Sequence, residues 1–181
     1  MTGLAPGFLI SMPQLHDEYF ERAVVLMINH SAEGAMGLVI NREAQVTFEE
    51  LASDQALELS PERGAKHIFV GGPVEPYRGF VLHDSPEVAE KTEVLPGVFL
   101  SVTNDSLKPL LADPTVNVLF CLGYSNWGAG QLESEIKRGS WLFTEASAPP
   151  IFALEPGQVW EHTIKSMGVD PAMLVTTGGV N

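Results

Sequence analysis

The stretch Gly123-Tyr-Ser-Asn-Trp-Gly-Ala-Gly-Gln-Leu-Glu133 follows the apolar run from Val116 to Leu122 and opens into a helical pattern. Glycines between a strand and a helix are what a phosphate cradle needs, because a helix N-terminus offers free N–H groups and a favourable dipole to an anion. Two phosphate motifs can be tested against the stretch. The P-loop pattern G-x-x-x-x-G-K-[ST] fits Gly123 and Gly128, but Ala129 stands at the lysine position and Gly130 at the hydroxyl position. The charge and the magnesium ligand are both missing. The dinucleotide pattern G-x-G-x-x-G fits Gly128 and Gly130 and fails at Glu133, whose carboxylate at a helix start repels a pyrophosphate. The glycines are therefore expected to serve a tight strand-to-helix turn, with Glu133 and Glu135 near the positive end of the dipole.

Other chemistry-bearing residues sit at the ends of apolar runs: His30, Asn41, Arg42, the Gly71-Gly72-Pro73 turn, His83 and the Ser125-Asn126-Trp127 segment. His16, His30 and His83 could hold a metal with Asp17 or Asp84. No H-x-x-x-H or C-x-x-C spacing fixes two of them in one place, so no metal site is predicted. Ser11, Ser101 and Ser125 lack the G-x-S-x-G elbow that exposes a serine nucleophile. Asp17 and Arg22 are expected to form an ion pair, with each other or with Arg42. Trp127, read as the tip of a polar loop, is the candidate anchor for a partner.

These residues need elements to position them. Period-two or continuous apolar runs at Phe8–Met12, Ala23–Ile28, Met36–Ile40, His67–Val70, Phe80–Leu82, Val98–Val102, Val116–Leu122 and Trp141–Phe143 predict strands. The short Gly-bearing segment after His30 predicts a hairpin between the second and third of them. Thr47-Phe-Glu-Glu50 fits a capping box and predicts a helix from Phe48 to Leu57. Helices are also predicted at Gly130–Arg138 and Gln158–Met167, with only a turn or two after Asn104 because of Pro109. Pro149-Pro150 and Glu155-Pro-Gly read as loops.

Composition narrows the function classes. With 23 acidic and 10 basic residues the net charge is −13, and the basic residues never form a run. Each phosphate contact needs a lysine or arginine, so generic nucleic acid is not an expected partner. At 181 residues and 45% hydrophobic content, one domain spanning 1–181 is the expected organisation, with a core that needs no disulfide or metal. The start of the chain has no basic region before Pro13 and His16, and no uninterrupted apolar segment is long enough to span a bilayer; a cytoplasmic protein without membrane contact is expected. Cys121, inside an apolar run, is expected to be a buried, unreactive thiol.

The segments GFLISMPQL, FERAVVLMINH, GAMGLVINR, VGGPV, RGFVLH, PGVFLS and LGYSNWGAGQLE with GSWL resemble the YqgE/AlgH family of bacterial proteins, in order and spacing, from Gly7 to Met173. The resemblance implies an α+β fold, a mixed, bifurcated and partly barrel-like sheet surrounded by helices. It implies no reaction, cofactor or catalytic residue. Some members carry a transcriptional-regulator label tied to alginate production. The leading expectation is a non-enzymatic binding or regulatory protein that acts through a protein partner, with no cofactor and a surface formed by Asn41, Arg42, Gly71, Gly72, Pro73, Ser125, Asn126 and Trp127. The alternative is a small-molecule or nucleotide-handling enzyme with its pocket between the Gly71–Pro73 and Gly123–Gly130 loops.

Overall fold

The computed structural model describes residues 3–13, 15, 17–18, 20–47, 49–50, 67–102 and 104–178. Ten strands form one curled, half-barrel sheet: β1 (Gly7–Ser11), β2 (Val24–Ser31), β3 (Gly34–Val39), β4 (Glu43–Thr47), β5 (His67–Val70), β6 (Val74–His83), β7 (Thr92–Leu95), β8 (Val98–Ser101), β9 (Val118–Gly128) and β10 (Trp141–Thr144). Among the described residues five complete helices accompany it: α1 (Asn104–Ala112), α2 (Gln131–Lys137), α3 (Ala148–Phe152), α4 (Pro156–Ser166) and α5 (Pro171–Gly178). The fold is α+β, and its sheet is mixed and bifurcated.

The main path runs β10-β1-β2-β3-β9-β6-β8-β7, and β5 joins β9 off that path with β4 beside it. β9 is the branch. Its first half pairs antiparallel with β6, from Val118 opposite His83 to Leu122 opposite Gly79, and parallel with β5 at Cys121 and Leu122. Its second half leaves β5 and pairs antiparallel with β3, from Ser125 opposite Gly37 to Gly128 opposite Gly34. The predicted hairpin is present, with Ser31 opposite Gly34.

Residues that alternate along the strands enter different cores. Val24 and Leu26 join Phe8, Leu38, Leu82, Leu119 and Trp160 in one cluster, while Val25 and Met27 join Leu9, Leu132, Trp127 and Trp141 in another. A third cluster packs Phe120, Val81 and Ile68 against Leu107, Leu110 and Leu111 of α1. Because β1 and the Val24–Met27 half of β2 are covered on both faces, they read as apolar runs instead of clean alternation.

Several local expectations meet the structure directly. The capping box forms: the Thr47 N–H donates to Glu50 Oε2 and the Glu50 N–H to Thr47 Oγ1, both at 3.2 Å. Most of the predicted Phe48–Leu57 helix lies outside the described residues. The two proline segments are corrected from loops to helix starts, since the prolines of α3 and α4 occupy the first turn, where a missing N–H loses nothing. α1 runs nine residues with Pro109 inside it, longer than Pro109 suggested. Strands β4 and β7 went unread.

At the branch, backbone lies on backbone. Gly123 has φ +76°, and a Cβ there would stand 2.4 Å from the Gly72 carbonyl oxygen; a Cβ on Gly71 would stand 2.4 Å from that of Gly123. Gly130 also has positive φ, +75°, but open space around it. Alanine at the two positions is therefore expected to behave differently. Gly130→Ala should cost about 1 kcal/mol for backbone conformation, and Gly123→Ala about 3 kcal/mol or more, since the clash adds to the left-handed penalty. Urea unfolding of both variants measures the difference, and equal losses would contradict the close packing.

Candidate functional site

The exposed loop tip expected at Ser125–Trp127 is corrected: β9 continues through it to Gly128, and its alternation puts Ser125 and Trp127 inside and Asn126 outside. Ser125 is fully buried and Trp127 is 4% exposed. The structure does bring the predicted segments together. Ser125 Oγ donates to the Gly71 carbonyl at 3.0 Å, the Val39 N–H donates to the same carbonyl at 2.9 Å, and the Val70 N–H donates to the Arg42 carbonyl at 2.8 Å. Their meeting point is interior, however, with Gly71 and Gly72 buried and only Pro73 of that turn exposed. Nor is there room for a ligand between Gly71–Gly72 and Gly123–Tyr124, where a single added methyl group would collide with the facing backbone. The pocket of the alternative reading is thus filled by the chain itself.

The motif's polar groups are used to dock α2. The Trp127 and Trp141 indole N–H groups donate to one oxygen of Glu135, Oε1, at 3.2 and 3.0 Å. Gln131 Nε2 donates to the other oxygen at 3.0 Å, and Gln131 Oε1 accepts from the Gly128 N–H at 3.0 Å. The two indoles meet edge to face at 6.0 Å, with Phe20 edge-on to Trp141 at 5.6 Å. A cleft of about 320 Å³ opens over this cluster, lined by Asn126, Trp127, Glu135 and Trp141 among others. Glu133, the second carboxylate of α2, accepts a 2.5 Å hydrogen bond from His30 Nε2, while His30 Nδ1 accepts from the Leu4 N–H. This bond holds the Glu133 carboxyl below its usual range.

Asn41 and Arg42 work elsewhere. Asn41 Nδ2 donates to the Arg22 carbonyl and its Oδ1 accepts from the Val24 N–H, both at 2.9 Å; Arg42 donates to the Glu21 carbonyl at 3.0 Å. The Glu21–Arg22 turn is thereby gripped at two successive carbonyls. Arg22 has φ +52°, unusual for a residue with a side chain, and its guanidinium lies 4.6 Å above the Trp160 ring. The N-terminal turn of α4 completes a cleft of about 350 Å³. Sequence reading named Asn41 and Arg42 but missed Trp160 and the role of Arg22, for no local spacing joins residues of α4 to that turn.

His83 and Ser101 form a buried pair at 2.9 Å that has the outline of a base and a nucleophile. The proton sits the wrong way for that. His83 Nδ1 accepts from the Ser85 N–H at 3.2 Å, so Nε2 carries the hydrogen and donates to Ser101 Oγ, which donates in turn to the Glu90 carbonyl at 2.8 Å. A general base must accept from its serine. The pair is a structural relay beside a cleft of about 370 Å³ between α1 and the Ser85–Glu90 loop. Among the described residues no group of three or more His, Cys, Asp or Glu side chains could hold a metal; His16 lies outside them. Cys121 is fully buried, and burial pushes its thiol pKa up to about 12, as an inert core cysteine requires.

The Pro73 turn leads into an exposed bulge of the sheet. Between the pairs Val74–Tyr124 and Gly79–Leu122, β6 advances five residues while β9 advances two, so Glu75–Arg78 bulges away from the sheet. Tyr77 is 93% exposed there. Glu75 has φ +45° and pairs with Arg78 at 3.2 Å, and the Arg78 guanidinium lies 5.1 Å from the Phe80 ring.

These features fit a known group of proteins. A profile of the family described as AlgH-like (DUF179) matches residues 8–172. A UPF0301 protein of Myxococcus xanthus is 57% identical over the full length of both chains, and one of Magnetococcus marinus is 41% identical over 95% of this chain and 93% of its own. The solution structure of the AlgH protein from Pseudomonas aeruginosa superposes with a TM-score of 0.74 at 34% identity, covering 95% of this chain and 93% of that one. The chain belongs to the AlgH-like family. The crystal structure of protein DIP2367 from Corynebacterium diphtheriae, 18% identical with a TM-score of 0.74 over 96% of this chain and 92% of that one, shares the fold.

Two tests follow from the site. Glu135→Ala leaves two buried indole N–H groups without their acceptor and should cost about 2–4 kcal/mol at one or two kcal/mol per group; urea unfolding reads it, and a loss within error of zero would show that the carboxylate is dispensable. The second is a pH test. Burial holds the His83 imidazole below its ordinary value of 6.5, Lys91 acts in the same sense, and Asp84 opposes them. The folded state therefore binds this proton less readily than the unfolded state. The stability that rests on neutral His83 is intact above pH 6.5 and is lost as pH falls from there towards the lower folded value. In His83→Asn the fall in stability on acidification below that pH should be shallower than in the wild type, and an unchanged slope would contradict the assignment.

Proposed function

We propose that the protein is a cytoplasmic, non-enzymatic binding or regulatory protein that acts through contact with another protein, and that the Pro73–Arg78 arm is the contact element. The observation that carries this reading is Tyr77, an aromatic side chain 93% exposed on an arm that an ion pair and a cation–π contact hold in place. Tyrosine and arginine are the residues enriched among binding hot spots, and an ordered presentation lowers the entropy lost on association. The net charge of −13 favours a partner with a basic face, which long-range attraction would steer into place, and disfavours direct contact with nucleic acid. The regulator label of some family members then reflects action through a partner. No helix among the described residues is long and apolar enough to cross a membrane.

Tyr77→Ala tests the reading, because a side chain so exposed contributes little to stability. Tagged wild-type and variant proteins, expressed at native level and compared by quantitative mass spectrometry of what co-purifies, should differ in at least one protein. That protein should fall by about tenfold or more, the effect of losing a modest hot spot, while the melting temperature stays the same. Identical partner sets would sink the proposal.

A further inference from the structure

The turn at Glu21–Arg22 is held at both of its carbonyls by side chains that follow β3. Arg22 adopts a left-handed backbone conformation although it has a side chain, and strained residues of that kind persist only where their surroundings hold them. Here the surroundings are visible: Asn41 binds the Arg22 carbonyl and the Val24 N–H, and Arg42 binds the Glu21 carbonyl. The result is an exposed guanidinium whose central carbon lies over the Trp160 ring, 4.6 Å from its centroid. Trp160 is itself fixed, since it is 4% exposed and its indole N–H donates to the Ser11 carbonyl at 2.8 Å. A guanidinium held over a ring still has five N–H donors, enough to spare a pair for a planar, two-oxygen acceptor. Among the described residues the guanidinium of Arg22 forms no ion pair.

The rim of the cleft sets the rest of the ligand. Glu21, Glu43 and Glu161 line it together with the two arginines, and Glu161 is paired with Lys165 at 3.1 Å. A dianion would meet these carboxylates at a cost, whereas a ligand with one negative and one positive group complements both signs. The α4 N-terminus adds a partial positive charge beside Arg22, at Pro156 and Gly157. The volume of about 350 Å³ suits a small metabolite. From this geometry we infer that the cleft between the Glu21–Arg22 turn, the Asn41–Glu43 link and the start of α4 is a binding site for a small zwitterion of the α-amino acid class. Its carboxylate sits on Arg22 and its ammonium group faces the acidic rim. The site uses none of the residues of the Tyr77 arm, so either reading can fail without the other.

The test is a titration of the ¹⁵N-labelled protein, followed by NMR at the Arg22 side-chain Nε–H and the Gly157 amide. The probes are each standard α-amino acid in turn, then acetate as a carboxylate without the ammonium group, then inorganic phosphate as a dianion. At least one amino acid should shift both signals saturably with a Kd of about 1 mM or tighter, and acetate and phosphate should bind at least about tenfold more weakly. Arg22→Gly, which accepts the left-handed backbone and removes the guanidinium, should keep the spectrum of the folded protein and lose the response; Lys108→Ala, at an exposed position of α1 outside the cleft lining, should retain it. The inference is overturned if no amino acid saturates the signals, if acetate or phosphate binds as tightly as the best amino acid, or if folded Arg22→Gly still responds.

Discussion

The close approach of the Gly71–Gly72 turn to Gly123 on β9 constrains everything built around it. A strand can serve two sheets only if something lets it exchange neighbours partway along, and here the exchange takes place where three glycines remove every side chain from the contact. Below that point β9 lies between β5 and β6, and above it the strand has β3 on one side. The Ser125 hydroxyl, fully buried, then binds the Gly71 carbonyl just beyond the contact and ties the two halves together. Side-chain volume at any of these positions would push the strands apart, and with them the cores on either side.

The upper half of β9 ends in a corner that α2 closes with two carboxylates. Both are engaged within the fold: Glu133 holds His30 of β2, and Glu135 holds indoles of β9 and β10. A sequence that resembles a nucleotide loop is thus spent on packing. The same acidic residues that would repel a phosphate are the ones that anchor the helix, so the missing lysine and the present glutamates have one physical explanation.

The strand content and the β2–β3 hairpin were legible because buried apolar runs and a short Gly-bearing turn are local signals. So was the Thr47–Glu50 box, whose partners are three residues apart. The burial of Trp127 was not legible, because Tyr124, Ser125 and Asn126 give β9 a polar appearance that only pairing with β3 explains. β4 and β7 were missed for a related reason: each is short and carries glutamate, so neither has the apolar density that marks a strand. Of the candidate residues, Asn41 and Arg42 were named correctly as polar groups at a strand end, but their work is to grip the turn under Arg22, a contact made across 19 to 21 residues of sequence. Trp160 lies farther still from its partner, and no pattern within α4 announces it.

Bifurcation has a consequence for how the molecule meets its neighbours in a crowded solution. An open sheet has two free margins at which another chain could add itself by backbone pairing, but a branched one has three, and here they are β10, β7 and β4 among the described residues. Each is only four or five residues long, and β4 and β7 place Glu43 and Glu93 on their margins. Brevity limits how many ladder bonds an intruding strand could form, and like charges on two copies repel one another before any form. The acidic composition of the chain thus guards a topology that would otherwise invite fibrous association at one more place than usual.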